Sequence, residues 1–144
     1  MPSEKELARR ILDIIPLVMR VTGAKMRQEA ATGFQVSHYR MLKLLHQRPR
    51  TLSELAACQA VALPTMSRTV SALVERGWVT RTQNPENRRQ VQVRITNAGE
   101  AILEHLYTRV QVHLAAYLVT LTTEEREQTL VGLEILEKAF TTED

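Results

Sequence analysis

Two adjacent arginines stand at a turn between β-prone residues, in the stretch NPENRRQVQVRIT of residues 84–96. The turn-forming Asn-Pro-Glu-Asn comes directly before Arg88 and Arg89, and the strictly alternating run Val91–Ile95 comes after them. Exposed cations at a turn have two ordinary uses, because they either bind an anionic partner or keep the turn solvated. The elements that hold this turn in place decide between the two.

The charge of the chain is unevenly distributed along its length. Residues 1–50 hold ten Lys/Arg against four Asp/Glu, and residues 64–94 hold six arginines against two glutamates. Residues 120–144 hold two basic residues against seven acidic ones. A basic front and middle with an acidic end is typical of a protein that meets a polyanion with one of its parts. Ordinary solvated surface charge explains the distribution equally well, so charge alone does not decide.

The composition predicts a cytoplasmic protein of one domain, or of one compact module with helical extensions. The chain has 144 residues, 44% of them hydrophobic, and its charged start lacks the apolar stretch of a signal peptide. A single cysteine, Cys58, excludes an internal disulfide framework. Neither an enzyme nor a cofactor is expected, because the sequence shows no nucleophile–base pair, glycine-rich phosphate loop or metal cluster. His105 and His113, eight residues apart, have a poor spacing for metal ligands.

Two helices are predicted before residue 50. From Glu4 to about Glu29, apolar residues recur every three or four positions, which predicts one helix. Pro16 is expected to kink that helix or break it near Ile15. Residues 31–33 are expected to form a linker, and the second helix is predicted over residues 36–47. Its inward face is predicted to be either Tyr39, Leu42 and Leu45, or Met41 and Leu44.

Two shorter helices, separated by a tight turn, are predicted next. Thr51 and Glu54 match a capping box at the start of the first, which is predicted over residues 52–59. Pro64 suits the first turn of the second, because its fixed φ is helical and its missing N–H costs little there. That helix is expected to end in a left-handed cap at Gly77. Its predicted inward face is Met66, Val70, Leu73 and Val74.

The remaining elements complete a winged helix-turn-helix. Residues 78–82 and 90–95 are rich in β-branched residues and predict a two-stranded hairpin. A long helix is predicted over residues 96–121, and a last helix over residues 122–140. Two short helices followed by a hairpin is the element order of a winged helix-turn-helix. The predicted fold class is therefore mostly α with a small β-hairpin wing.

The segment LSELAACQAVALPTMSRTVSALVERGWVTRTQNPENRRQVQVRITNAGEAIL resembles the core of the MarR family of bacterial transcription regulators. The most specific matches are Thr65–Val70, Leu73–Val79 and the Asn-Arg-Arg…Ile-Thr…Gly pattern between Asn87 and Gly99, all in the family's order. The resemblance implies a DNA-binding homodimer. Its implied parts are an N-terminal dimerisation helix and linker (1–33), a DNA-binding domain (34–96) and C-terminal dimerisation helices (97–144).

The resemblance also implies a use for the two adjacent arginines. In the family the wing tip lies along the DNA minor groove and an arginine enters it; Arg89 matches that arginine, and Arg88 stands beside it. A narrow minor groove concentrates negative potential that a long cationic side chain can reach. This implication favours DNA contact over simple solvation. Arg81 and Arg94, on the wing strands, are expected to contact phosphates.

The second short helix matches the family's recognition helix, whose N-terminal half contacts base edges in the major groove. Arg68 is the expected bidentate partner of a guanine. The helix start at Leu63 and Pro64 is expected to bring backbone amides towards a phosphate. Further contacts are expected from Thr65, Ser67, Thr69 and Ser71. For the two serines an ordinary solvated helix face is the alternative.

The sequence departs from the family pattern at four positions. Asn87 stands where the family usually has an aspartate that helps to hold the wing arginine, so a hydrogen-bond acceptor remains without its charge. Ala60 replaces a frequent glycine in the turn between the two short helices. Ala62 replaces a Ser/Thr cap, and Gln59 replaces an apolar residue. These changes bear on local stability and leave the recognition face unchanged.

The long C-terminal helix carries more apolar surface than a small winged domain can cover, which favours a subunit interface. The residues predicted to form that dimer interface are Leu7, Ile11, Leu106, Val110, Leu114, Tyr117, Leu121, Leu133 and Leu136. The symmetry of a dimer would require a palindromic DNA site with half-sites roughly one helical turn apart.

Family members commonly respond to small phenolic or anionic molecules, usually as repressors that the ligand releases. His38, Tyr39 and Arg40 open the second helix near the family's effector pocket and are candidates to hold an anionic aromatic, with a plain surface position for His38 as the alternative. Cys58 allows a redox-sensing regulator, although it lies outside the N-terminal helices that carry the family's peroxide-sensing cysteine. A dimeric protein-binding module that has lost DNA binding is a further alternative.

Overall fold

The computed structural model describes residues 1–29 and 35–141, so the predicted linker at residues 31–33 lies outside the described residues. The chain divides into two compact units, Met1–Val110 (unit 1) and Gln111–Asp144 (unit 2). The elements are α1 (Glu4–Glu29), α2 (Val36–Gln47), β1 (Arg50–Thr51), α3 (Leu52–Cys58), α4 (Leu63–Glu75), β2 (Val79–Gln83), β3 (Val91–Ile95), α5 (Asn97–Leu118) and α6 (Thr123–Thr141). This is the predicted fold class of helices with a small wing.

The core of unit 1 lies within the winged domain, by which we mean α2 to β3. Apolar side chains from α2, α3, α4 and the wing strands meet there, together with two from the start of α5. The fully buried ones are Met41, Leu42, Leu55, Met66, Val70, Leu73, Val79, Val93 and Leu106. On α2 both predicted faces contribute, because Met41, Leu42 and Leu45 are buried while Tyr39 and Leu44 are half-buried. On α4 the prediction for Val74 is wrong, since its side chain is 39% exposed.

The sheet has three strands, whereas the sequence predicted two. The order is β1-β3-β2, and both pairings are antiparallel. The added strand is the dipeptide Arg50–Thr51, which pairs with Val93 and Gln92. Two residues are too few to show alternation, so nothing in the local pattern could reveal this strand. It attaches the start of the helix-turn-helix to the base of the wing.

The helix α1 runs without interruption from Glu4 to Glu29, so the predicted break near Ile15 is wrong. A proline inside a helix removes one backbone hydrogen bond and crowds the preceding turn, which bends a helix more readily than it ends one. Apolar residues recur at helical spacing on both sides of Pro16, and the helix continues through this residue. Most of the apolar side chains on α1 are exposed within the single chain, including Leu7, Ile14 and Val18.

The helix ends in the winged domain have the predicted caps, with one exception in the partner of Glu54. The Thr51 hydroxyl accepts a hydrogen bond from the Glu54 amide at 3.1 Å, while the Glu54 carboxylate accepts one from Arg48 at 3.1 Å. Gly77 ends α4 at φ +76°, as expected for a left-handed cap. Ala60, in the turn before α4, has φ +52°, a conformation that costs an alanine more than a glycine.

The wing is fixed to α5 by Thr96 and Gly99. The Thr96 hydroxyl donates to the Gly77 carbonyl at 2.6 Å and accepts from the Gly99 amide at 3.1 Å. A Cβ on Gly99 would stand 2.2 Å from the Trp78 carbonyl oxygen, so only glycine allows this approach. The Ile-Thr…Gly pattern of the sequence therefore closes the end of α4 against the start of α5.

Unit 2 contains the end of α5 and the whole of α6. The cap of α6 is a capping box, in which the Thr122 amide donates to the Glu125 carboxylate at 2.8 Å and the Glu125 amide donates to the Thr122 hydroxyl at 3.1 Å. No residue of α6 is buried within the single chain. Leu114, Leu121 and Leu136 are half-buried, whereas Tyr117 and Leu133 are exposed. Two further residues of the predicted dimer interface, Leu106 and Val110, are already buried in unit 1.

Candidate nucleic-acid interface

The helix α4 presents a polar face because its opposite face is anchored in the core. Met66, Val70 and Leu73 follow one another at spacings of four and three residues and are all buried. This arrangement turns the other side of α4 outwards. The predicted contact residues on that side are exposed (Pro64, Thr65, Arg68, Ser71) or half-buried (Ser67, Thr69). The helix thus exposes hydroxyl and guanidinium groups at the positions that the sequence predicted to contact DNA.

The hydroxyl groups of α4 are held by local hydrogen bonds. Thr69 donates to the Thr65 carbonyl at 3.1 Å, and Ser71 donates to the Ser67 carbonyl at 2.9 Å. Since each hydroxyl proton is used within the helix, the Thr69 oxygen can accept from a partner, whereas the Ser71 oxygen already accepts one hydrogen bond from Arg81. The Arg68 guanidinium lies 3.4 Å from the Thr65 hydroxyl and is otherwise exposed. A long bond to an exposed hydroxyl is readily exchanged for a better acceptor.

Arg81 links the wing to α4. Its Nη2 donates to the Ser71 hydroxyl at 2.5 Å and to the Ser67 carbonyl at 3.3 Å. The sequence predicted a phosphate contact for this arginine, and these two hydrogen bonds give it a second use. They hold β2 beside the exposed face of α4. No local pattern could have revealed them, because the two partners lie ten and fourteen residues away.

Arg81 and Arg94 lie on opposite faces of the wing sheet. In the β2–β3 register Arg81 is opposite Val93, which is buried, while Arg94 is opposite Thr80. Since successive strand residues alternate between faces, Arg81 shares the core-side face and Arg94 the outer face. Arg94 is exposed, and its Nη2 donates to the Gln92 side chain at 3.2 Å. Of the two strand arginines, Arg94 is the one directed away from the core.

The wing turn is shaped by two asparagines that use the same device. Asn84 accepts from the Glu86 amide at 3.0 Å, and Asn87 accepts from the Arg89 amide at 3.2 Å. In each case a side-chain oxygen bonds the backbone two residues on, the hydrogen bond that defines an Asx turn. Asn87 therefore fixes the backbone of Arg89, for which a neutral acceptor is sufficient.

Both wing-tip arginines are exposed. Within residues 1–29 and 35–141, neither the Arg88 nor the Arg89 guanidinium has a hydrogen-bond or ion-pair partner. Arg76, at the end of α4, is used differently, because its guanidinium stacks over the Trp78 ring with 5.0 Å to the ring centroid.

The three candidate effector residues are not gathered at one place. His38 is buried, with 7% of its surface exposed, so the alternative of a plain surface position is wrong for it. Its Nδ1 accepts from the Gln35 amide at 3.2 Å. Burial lowers the pKa of His38, and the positive charge of Arg76 lowers it further. Tyr39 is half-buried, and its pKa is raised by burial and by Tyr107. Arg40 is exposed and lies beside a surface groove.

Comparison with known proteins identifies the same domain. Residues 34–91 match the family model described as MarR family. An uncharacterised HTH-type transcriptional regulator of Bacillus subtilis, YpoP, is 34% identical over 70 residues, which is 48% of this chain and 50% of that protein. The chain thus matches half the length of that relative. A second uncharacterised HTH-type regulator, Mb0904 of Mycobacterium bovis, is 28% identical over 121 residues, covering 83% of this chain and 85% of that one.

Solved structures share the fold over nearly the whole chain. The apo form of wild-type MarR from E. coli has a TM-score of 0.78 at 25% identity, covering 94% of this chain and 96% of its own. RV1404 from Mycobacterium tuberculosis has a TM-score of 0.82 at 19% identity, covering 100% and 98%, and is informative for the fold alone. Among the described residues, no helix is both long and apolar enough to cross a membrane.

Proposed function

We propose that the chain, whose residues 34–91 match the MarR family model, is a DNA-binding transcriptional regulator of that family and binds a palindromic operator as a homodimer. In this proposal α4 enters the major groove and the wing tip enters the minor groove. The observation that carries it is the exposed polar face of α4, whose far side is anchored by Met66, Val70 and Leu73. A rigid helix with an outward polar face suits direct contact with base edges.

Each predicted contact residue has a role in this proposal. Arg68 donates a bidentate pair to a guanine, and the neighbouring hydroxyl groups of Thr65, Ser67, Thr69 and Ser71 contact bases or phosphates. The start of α4 at Pro64 directs backbone amides towards a phosphate. Arg89 enters the minor groove, while Arg88 and Arg94 contact the sugar-phosphate backbone. Their support is exposure: all three arginines lie on the surface.

Arg81 has a positioning role in this proposal. Its hydrogen bonds to Ser67 and Ser71 hold the wing sheet at a set distance from the face of α4. A major-groove element and a minor-groove element contact one duplex together only if their separation is fixed. Arg81 therefore sets the spacing of the two elements.

The proposed dimer is supported by apolar side chains that the single chain leaves uncovered. In unit 1 these lie on α1, where Leu7 is 54% exposed. In unit 2 they lie on α6, where Leu133 is 55% exposed and no residue is buried. Monomeric proteins rarely expose contiguous apolar surface of this kind, and a second copy of the chain is the simplest cover. A two-fold symmetric protein then requires a two-fold symmetric DNA site.

We further propose that the regulator is a repressor released by a small aromatic or anionic molecule. The support for this part is the family's usual behaviour, since no contact among the described residues identifies the ligand. A thermal-shift screen with aromatic acids tests it, because a ligand that binds the folded form raises the melting temperature. Absence of any shift at saturating concentrations would count against a ligand of this class.

Two single substitutions test the DNA-contact proposal. Arg68→Ala should weaken binding to the operator and much less to a scrambled duplex, because a lost guanine contact costs about 1–3 kcal/mol only where that guanine is present. Arg89→Ala should weaken binding to both duplexes and lower the salt slope by about one unit. Fluorescence polarisation at several salt concentrations measures both quantities. Lys5→Ala, on the exposed start of α1, is the control for removal of one positive charge.

If Arg68→Ala weakens both duplexes equally, α4 does not contact bases through this residue. If the salt slope of Arg89→Ala equals that of the parent protein, the wing tip does not contact the DNA.

A further inference from the structure

A surface groove with a volume of about 550 Å³, which we call the α2–α3 groove, lies between α2 and the end of α3. One wall is a stripe of α2 that carries Arg40 and Lys43. The other wall is formed by the end of α3 and by the turn residues Ala60 and Val61, which lead directly into α4. All of these residues belong to unit 1, so the two cations and the start of α4 are parts of one compact body.

Hydrogen bonds hold the two walls of the α2–α3 groove in place. The Gln59 side chain, at the end of α3, donates to the Ser37 carbonyl of α2 at 3.4 Å. The Val61 amide donates to the Ala56 carbonyl of α3 at 3.0 Å, which fixes the turn against the helix before it. The wall formed by α2 is therefore held at a set place beside the turn from which α4 begins.

The charge of the α2–α3 groove is one-sided. None of the described residues that line it is acidic, and Arg40 and Lys43 are both exposed. Since they are three residues apart on a helix, their side chains project from the same side. In the part of the chain that the structure describes, neither makes a hydrogen bond or an ion pair, whereas Arg48, just beyond α2, pairs with Glu54 at 3.1 Å. The groove thus presents two cations that no described group of the chain neutralises.

The α2–α3 groove adjoins the start of the helix that is proposed to lie in the DNA major groove. Val61 stands two positions before Leu63, the first residue of α4, and two residues of chain span at most about 7 Å. A helix with its side chains is about 10–12 Å wide and the major groove is about 12 Å wide, so a sugar-phosphate backbone runs directly beside a helix that lies there. Cations next to the start of such a helix therefore meet a backbone phosphate before they meet a base edge.

We propose that Arg40 and Lys43 bind phosphates of the DNA strand that runs beside the start of α4. Each protomer then contacts the duplex with three elements, namely α4, the wing and α2. The inference rests on the proposed DNA binding and adds a contact surface to it. Because contacts to phosphate carry no sequence information, these two residues add affinity for any duplex and orient α4 in the major groove.

The salt dependence of DNA binding measures this contact. Arg40→Gln and Lys43→Gln should each weaken binding to the operator and to a scrambled duplex by the same factor, about tenfold at about 0.1 M salt. Each should lower the salt slope by about one unit, and the double variant by about two units. Lys5→Gln, which removes a positive charge from the exposed start of α1, is the matched control and should leave the slope unchanged. Equal melting temperatures of the variants and the parent show that the fold is intact.

Duplexes with one uncharged phosphate locate the contact. In a series of operator duplexes, one phosphate at a time is replaced by a methylphosphonate. At one or two positions beside the base pairs that α4 contacts, this replacement should weaken binding of the parent protein about tenfold. The Arg40→Gln/Lys43→Gln double variant should lose less than about twofold at the same positions, because its contact is already absent. Lys5→Gln should show the pattern of the parent, which separates a direct contact from a general effect of charge.

A salt slope that neither substitution changes would overturn the inference. Equal sensitivity of the parent and the double variant to every methylphosphonate would overturn it as well. The same holds for a slope that Lys5→Gln lowers equally, because net charge would then be responsible. A parent protein that binds neither duplex would contradict the proposed function and this inference with it. A parent that binds DNA with a steep salt slope but without any need for these two cations would contradict this inference alone.

Discussion

The winged domain and the helix α6 are both periodic and rich in apolar residues, yet they bury those residues very differently. In the winged domain Leu42, Leu55 and Leu73 are each 0% exposed. On α6 Ile135 is 63% exposed and Phe140 is 73% exposed, and no residue of the helix is buried. The core of the winged domain is completed by side chains of the same chain, including Leu103 and Leu106 of α5. The apolar face of α6 has no such cover in the single chain, which is why we assign it to contact with a second copy.

The largest effect that tests this difference is a pair of leucine truncations. Leu73→Ala should lower the free energy of unfolding by about 3 kcal/mol at every protein concentration, because it leaves a cavity in a core that one chain completes. Leu133→Ala should have a cost that depends on protein concentration, since it weakens association rather than a core. Urea denaturation over a hundredfold range of concentration measures both. A concentration-independent loss in Leu133→Ala would remove the distinction between the two regions.

A similar contrast separates the two strand arginines of the wing. Arg94→Ala should lower the salt slope of DNA binding by about one unit, as expected for a lost phosphate contact. Arg81→Ala should leave the salt slope unchanged and lower the free energy of unfolding by about 1 kcal/mol, because its hydrogen bonds go to Ser67 and Ser71. Salt-dependent polarisation together with urea denaturation distinguishes these roles. A slope lowered equally in both variants would make Arg81 a phosphate contact, as the sequence predicted.

The smallest expected effect concerns His38 and the pH. Burial holds its pKa below the ordinary value of 6.5, so below pH 6.5 the unfolded chain takes up a proton that the folded chain resists. The contribution of His38 to the stability of the winged domain is therefore fully present above pH 6.5 and is lost as the pH is lowered towards the folded pKa. His38→Gln keeps a hydrogen-bond acceptor but cannot take up the proton. Between pH 7.5 and 5.5 its melting temperature should fall less than that of the parent protein.

Glu29 provides the control for this pH dependence. Hydrogen bonds from Arg109 and Lys25 lower the pKa of its carboxyl from 4.5 to about 2. The stability linked to Glu29 is therefore present above pH 4.5 and is lost only as the pH falls from there towards 2. Glu29→Gln should leave the slope of the melting temperature between pH 7.5 and 5.5 as it is in the parent. Equal slopes in His38→Gln and the parent would show that His38 does not contribute.

The features that the sequence predicted correctly are those that depend on the local spacing of apolar residues and on the residues that cap helix ends. The spacing of Met66, Val70 and Leu73 identified the buried face of α4, and Gly77 and Pro64 marked its ends. Helix periodicity is local, so a single sequence carries it. The same reasoning identified the exposed face opposite, and hence the candidate contact residues. Val74 is 39% exposed because it lies at the margin of the apolar stripe, where the spacing of apolar residues fits either side of the helix.

The features that the sequence could not predict depend on contacts between residues that are distant along the chain. The strand β1 exists because Arg50 and Thr51 meet Val93 and Gln92, more than forty residues away. The contact of Arg81 with α4 and the burial of His38 are likewise set by tertiary neighbours. The course of α1 through Pro16 is a local outcome, because the sequence allowed either a kink or a break there and the helix does not break.

The most direct test is a polarisation titration of the full-length chain against a duplex from the DNA upstream of its own gene, with a scrambled duplex beside it. We expect binding at least about a thousandfold tighter to the upstream duplex. We also expect an affinity that falls steeply as salt is raised and a stoichiometry of two chains per site. Equal affinity for both duplexes, or absence of binding even in dilute buffer, would contradict the account.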